Sequence, residues 1–114
     1  VWMPWSAQHL RLGQTRVLAI NIVVYAELAG YPGLDFDLDA FLSEQSISMP
    51  DISRAAAREA ALAFRQYRQR GGARTGVLPD FFIGAQALAD GCTLLTRDAG
   101  RYRSYFPGLD LVCP

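Results

Sequence analysis

Glu27, Asp80 and Asp98 are the acids of this chain whose surroundings suit chemistry. Glu27 follows the aliphatic run Val17 to Val24 within three residues, and Asp98 follows the apolar segment Cys92 to Thr96 within two. Such runs read as buried strands of a parallel sheet. Both acids are therefore expected at strand carboxyl ends, the edge of an open α/β sheet where ligands bind. Asp80 lies one residue inside a helix predicted to start at Pro79, and periodicity alone leaves open whether that end returns to the same edge. Gly84 and Ala87 share its helix face and leave a small-residue surface beside the carboxylate. With no lysine or arginine between them, three converging carboxylates would repel one another unless a cation neutralised them. Oxygen ligands favour hard ions such as Mg2+ or Mn2+. The matching chemistry is phosphodiester hydrolysis, in which the metal lowers the pKa of a bound water and steadies the leaving oxygen. Each acid also has a plain structural role open to it: Glu27 and Asp80 can complement helix N-termini, and Asp98 can cap the helix that follows.

All the formal positive charge comes from arginine: eleven arginines and no lysine, balanced by eleven acids. Without lysine, a phosphate loop of the G-x-x-x-x-G-K type, a Schiff-base enzyme and a lysine-dependent phosphoacceptor domain are excluded. The charge is unevenly spread. Residues 35–51 hold five acids and no base, whereas 54–74 hold six arginines and one glutamate. Arg54, Arg58, Arg65 and Arg68 fall near one helix face, which reads as a solvated outer face or as a phosphate-contacting one. Arg97 and Arg101 flank Asp98, and Arg74 precedes the helix bearing Asp80. These three are better placed for backbone phosphates, although each can equally pair with a surface acid.

The single histidine, His9, leaves no choice of partner for a nucleophilic triad and reads as a surface helix residue. Two cysteines, Cys92 and Cys113, are too few for a zinc site or a disulfide framework and are expected as buried free thiols in a reducing compartment. The run Val17 to Ala26 is broken by Asn21 and falls far short of the ~20 residues a membrane span needs. No membrane association and a cytoplasmic location are expected.

At 114 residues, with 51% hydrophobic and 19% charged side chains, the chain has room for one domain around an apolar core. Short helices are predicted over 5–13, 25–30 and about 36–45, the last with Asp35 and Asp37 as possible caps. A short strand around Ile47 to Met49 follows. The longest helix is predicted to begin near Asp51 or Ser53, with Ile52, Ala56, Ala60, Ala63, Phe64 and Tyr67 at helical spacing until Gly71-Gly72. A helix from Pro79 to Ala89, a strand over Cys92 to Thr96, a short helix in AGRYRSYF and a last strand from Leu109 to Cys113 complete the reading. Alternating strands and helices imply an α/β fold around a mostly parallel sheet.

The stretch LPDFFIGAQALADGCTLLTRD, 78–98, followed by a short aromatic segment and LDLVCP, closely resembles the C-terminal half of PIN-domain nucleases, the VapC-type toxins of bacterial toxin–antitoxin pairs. NIVVYAELAG, 21–30, looks like the strand-then-AEL segment of the same family. The resemblance covers nearly the whole chain in order and spacing. It implies a three-layer PIN-like fold and an endoribonuclease dependent on Mg2+ (or Mn2+), with Glu27, Asp80 and Asp98 holding the metal. Thr96 matches the hydroxyl residue that precedes the family's last acid and can orient a carboxylate or water. RNA as substrate, whose phosphates Arg74, Arg97 and Arg101 are placed to contact, comes from this resemblance, as does an antitoxin seated in the groove; a homodimeric state is also expected. The family's first strand ends in an Asp-Thr-Asn type motif, and nothing in residues 1–16 matches it. The expectation is a single domain over 1–114 lacking that strand, which would lie in roughly 20–30 further residues upstream, the length of one βα unit. A catalytically inactive PIN-like module that binds RNA or protein is the alternative.

Overall fold

The computed structural model describes residues 18–74 and 76–113; the helix expected over 5–13 and His9 lie outside them. The described residues up to Asp51 and the residues Ile52–Cys113 form two compact units.

In the first unit the backbone of 18–20 is extended. Ile20 N–H donates to the Ser48 carbonyl at 2.9 Å and Ser48 N–H donates to the Leu18 carbonyl at 3.0 Å, forming a parallel bridge at Ala19 and Ser48. The expected strands 17–24 and 47–49 thus reduce, among the described residues, to this bridge. Asn21 is where the first one stops. Its side chain accepts a hydrogen bond from Val24 N–H at 2.9 Å and caps α1, Ile22–Ala29. The physical reason is local: intrinsic preferences separating valine and isoleucine from good helix formers are fractions of a kcal/mol per residue, whereas an asparagine cap contributes about 1 kcal/mol. Asp37, rather than Asp35, caps α2, Leu38–Glu44, by accepting from Ala40 N–H at 3.2 Å. That helix buries Leu38 and Leu42, and Phe36 meets Phe41 edge to face at 5.6 Å.

The second unit opens with α3, Arg54–Gln69, capped by Ser53. Its buried stripe is Ala56, Ala60 and Ala63, and these short side chains let a neighbouring helix approach closely. That neighbour is α4, Leu78–Ala89, with Pro79 in its first turn where no N–H is missed. Phe81 is fully buried and Ala85 with it. Phe64, Tyr67, Tyr105 and Phe106 surround the Phe81 ring at centroid distances of 5.4–6.2 Å. The strand β1, Leu94–Leu95, is followed by α5, Gly100–Tyr105, and β2, Leu111–Val112. The two strands are parallel, with Leu94 opposite Leu111 and Leu95 opposite Val112. Leu94 N–H donates to Asp110 O at 2.8 Å and Thr96 N–H to Val112 O at 3.0 Å. Parallel strands joined through a helix confirm the α/β class.

Gly84 marks the tightest helix contact. A Cβ at this position would lie 2.8 Å from the Phe106 ring and 3.0 Å from Tyr102. Gly84 is therefore small because α5 and Phe106 pack onto it, and not to leave space beside the carboxylate. The cysteines also depart from expectation, since Cys92 is exposed and Cys113 half-buried. Both flank two-residue strands, too short to carry their neighbours under the covering helices.

Candidate active-site cleft

The contact at Gly84 sets the first turn of α5 beside the first turn of α4. Arg101 follows Gly100, the opening residue of α5, and Asp80 is the third residue of α4. Arg101 Nη1 donates to Asp80 Oδ2 in an ion pair. The Arg101 side chain is 22% exposed and that of Asp80 40%, so the pair sits at a surface that water reaches. Its guanidinium also lies 5.9 Å from the centre of the Tyr67 ring. Around this pair opens a cleft of about 480 Å³ lined by Ala73, Arg74, Gly76, Val77, Asp80 and Arg101. The premise that no arginine stands among the acids is thereby corrected: Asp80 is charge-compensated by Arg101. The two are 21 residues apart in sequence, and spacing alone gives no sign of the pair.

Arg74 is held at the rim from its backbone, which donates N–H to the Tyr67 hydroxyl at 3.2 Å. The loop that carries it is shaped by Gly72, where a Cβ would fall 2.4 Å from the Tyr67 ring. Tyr67 thus orders both Arg74 and the approach to Arg101, a role the sequence reading did not assign to it.

Asp98 lies three residues beyond β1 and is exposed, at the carboxyl end of a parallel strand as anticipated. One carboxylate oxygen, Oδ1, accepts from Gly100 N–H at 3.3 Å. Asp98 thus satisfies a free donor at the start of α5, the structural role available to it. Thr96 acts on the main chain of Asp98: its hydroxyl accepts from Asp98 N–H at 3.2 Å and donates to the Asp98 carbonyl at 3.3 Å. It therefore orients the carboxylate indirectly, by fixing the backbone that carries it. The neighbouring Arg97 is exposed.

Glu27 belongs to the first unit and is exposed on α1. It is the sixth residue of that helix, so the expectation that it closes a strand's carboxyl end is corrected by the early start of the helix at Ile22. Among the described residues of the second unit, no group of three or more His, Cys, Asp or Glu side chains comes together to hold a metal ion. The two acids that unit supplies, Asp80 and Asp98, are of the donor type a hard divalent cation takes.

No protein-family model matches the chain, and neither does any curated protein. Among solved structures, the chain is similar to a chain of VapBC2 from Rickettsia felis, crystallised bound to a DNA fragment from their promoter. The TM-score is 0.72 and the identity 23%, over 98% of this chain and 86% of that one. At that identity the likeness shows a shared fold. Among the described residues no helix is long and apolar enough to cross a membrane.

Proposed function

We propose that this chain is a metal-dependent endoribonuclease of the VapC type, the toxin of a toxin–antitoxin pair. The observation that carries the reading is the cleft at Asp80 and Arg101, the latter three residues after Asp98 in the chain, on a fold shared with a chain of a VapBC assembly. In this reading Asp80 and Asp98 hold Mg2+ or Mn2+. Such an ion, when bound, activates water and stabilises a leaving oxygen. The chain's own groups do the rest. Thr96 fixes the turn that presents Asp98. Arg101 keeps Asp80 facing the cleft and offers its remaining N–H donors to a substrate phosphate, since a guanidinium carries five. Arg74 on the cleft rim and Arg97 beside Asp98 add positive charge for an RNA backbone. An antitoxin that covers this cleft would silence the enzyme, and a homodimer in the cytoplasm completes the proposal.

The test is cleavage of single-stranded RNA by the full chain with Mg2+, with EDTA as control, repeated for Asp80→Asn and Asp98→Asn. Both variants change charge without changing volume. Cleavage that needs the metal and is abolished in both variants, with the fold intact by circular dichroism, supports the reading. Activity retained in Asp98→Asn removes that residue from the machinery. One observation favours a second reading, a PIN-like module without catalysis that binds RNA or protein: Arg101 already neutralises Asp80. RNA binding with no cleavage under any divalent cation would select it.

A further inference from the structure

Beyond the cleft, the end of α3 carries a cation whose partner is an aromatic ring. Arg70 immediately follows the last residue of α3, and its guanidinium lies 4.9 Å from the centre of the Tyr105 ring. The side chain is exposed, and among the described residues no hydrogen bond or ion pair engages its guanidinium. An exposed arginine ordinarily keeps its rotamer freedom, so a stack on a fixed ring prepays the ordering that binding would cost. The ring is fixed: Tyr105 meets Phe81 at 5.4 Å and Tyr67 at 6.0 Å.

Tyr67 then connects this stack to the cleft. Its ring lies 5.9 Å from the Arg101 guanidinium and its hydroxyl holds the backbone of Arg74. The guanidinium groups of Arg70 and Arg101 thus lie against one pair of contacting tyrosines, and Tyr67 also holds the backbone of Arg74. No acid occurs between residues 60 and 79 to oppose them. Both tyrosine rings lie against a cation and further rings, and the guanidinium donors beside them match phosphate oxygens in geometry.

Resting on the ribonuclease reading, we propose that Arg70 is a phosphate-binding residue for single-stranded RNA, outside the cleft, with Tyr105 as its positioning residue. The strand engages Arg101 and Arg74 at the cleft and runs out over the end of α3, where Arg70 holds a further phosphate. This assigns to the end of the long helix a contact that its outer face, with Arg58, does not make.

Binding of a fluorescein-labelled single-stranded RNA to the full chain, in EDTA to prevent cleavage and over a range of salt concentrations, tests this. Arg70→Ala should weaken binding several-fold and lower the slope of log affinity against log salt by about 0.7, the value of one phosphate contact on a single strand. Arg70→Lys should keep the slope and lose part of the affinity, because an ammonium lacks the planar stack. Tyr105→Leu, which removes the ring, should weaken binding in the folded protein and Tyr105→Phe, which restores it, should recover that loss, while Arg58→Ala should match the parent chain. The proposal is overturned if Arg70→Ala binds like the parent while Arg74→Ala and Arg101→Ala bind weakly, or if Arg58→Ala loses as much as Arg70→Ala. A parent chain that binds no RNA overturns the ribonuclease reading itself. Thermal melts of each variant confirm that it is folded.

Discussion

Arg101 and Asp80 are paired across two helix starts that Gly84, one turn further along α4, allows to lie close together. The pair is partly exposed, and exposed ion pairs contribute about 0–1 kcal/mol. Arg101→Gln should therefore lower unfolding stability by less than about 1 kcal/mol in urea titration. Its effect on RNA should be far larger, because it removes a charge from the cleft itself. A stability loss of several kcal/mol would instead make the pair a structural brace.

Gly84→Ala is expected to be costly for the opposite reason. The added methyl would sit 2.8 Å from Phe106 and 3.0 Å from Tyr102, both buried ring positions. Overpacking of this kind costs about 1–3 kcal/mol. The midpoint of urea unfolding should fall with its slope unchanged. Because α5 must shift away from α4, RNA cleavage should fall in the folded protein as well, and a variant with full activity would show that the contact does not position Arg101.

Which features the sequence disclosed follows from how local their causes are. Ser53 and the alanine spacing of α3, Pro79 at the start of α4 and Gly71-Gly72 after α3 act within a turn or two of chain, and they were readable in order. Asp98 was placed correctly because a strand and the turn after it are contiguous. Val17 to Val24 misled because β-branched residues speak for strand while the deciding residue, Asn21, looks in sequence like an interruption. The ion pair at Asp80 and the stack of Arg70 on Tyr105 join different helices. Only packing through Gly84, Phe81 and Tyr67 brings those partners together, and no periodicity encodes it.

The role given to Asn21 is open to direct measurement. Asn21→Ala removes the oxygen that accepts from Val24 N–H and should destabilise the chain by about 1 kcal/mol, up to about 2. Asn21→Asp and Asn21→Ser, which restore an acceptor, should recover most of it. If Asn21→Ala were neutral and Asn21→Val stabilising, the extended reading of 17–24 would be the better account of this segment.

The last expectation concerns pH and the first unit alone. The Tyr25 hydroxyl donates to Asp39 Oδ1 at 2.9 Å, linking α1 to α2. That hydrogen bond, reinforced by the Asp39 charge and then by Asp37, raises the Tyr25 pKa above its usual value. A raised folded-state pKa means that the protonated hydroxyl is favoured by folding. Its stabilisation is complete below the ordinary tyrosine value of about 10 and is lost as pH rises through the higher folded value. Tyr25→Phe lacks the group, so the stability difference between parent and variant should be constant from pH 6 to 9 and shrink above about 10. Urea titrations of both proteins across that range measure it. A difference that stays constant through the alkaline range would mean that the hydroxyl makes no such contact in solution.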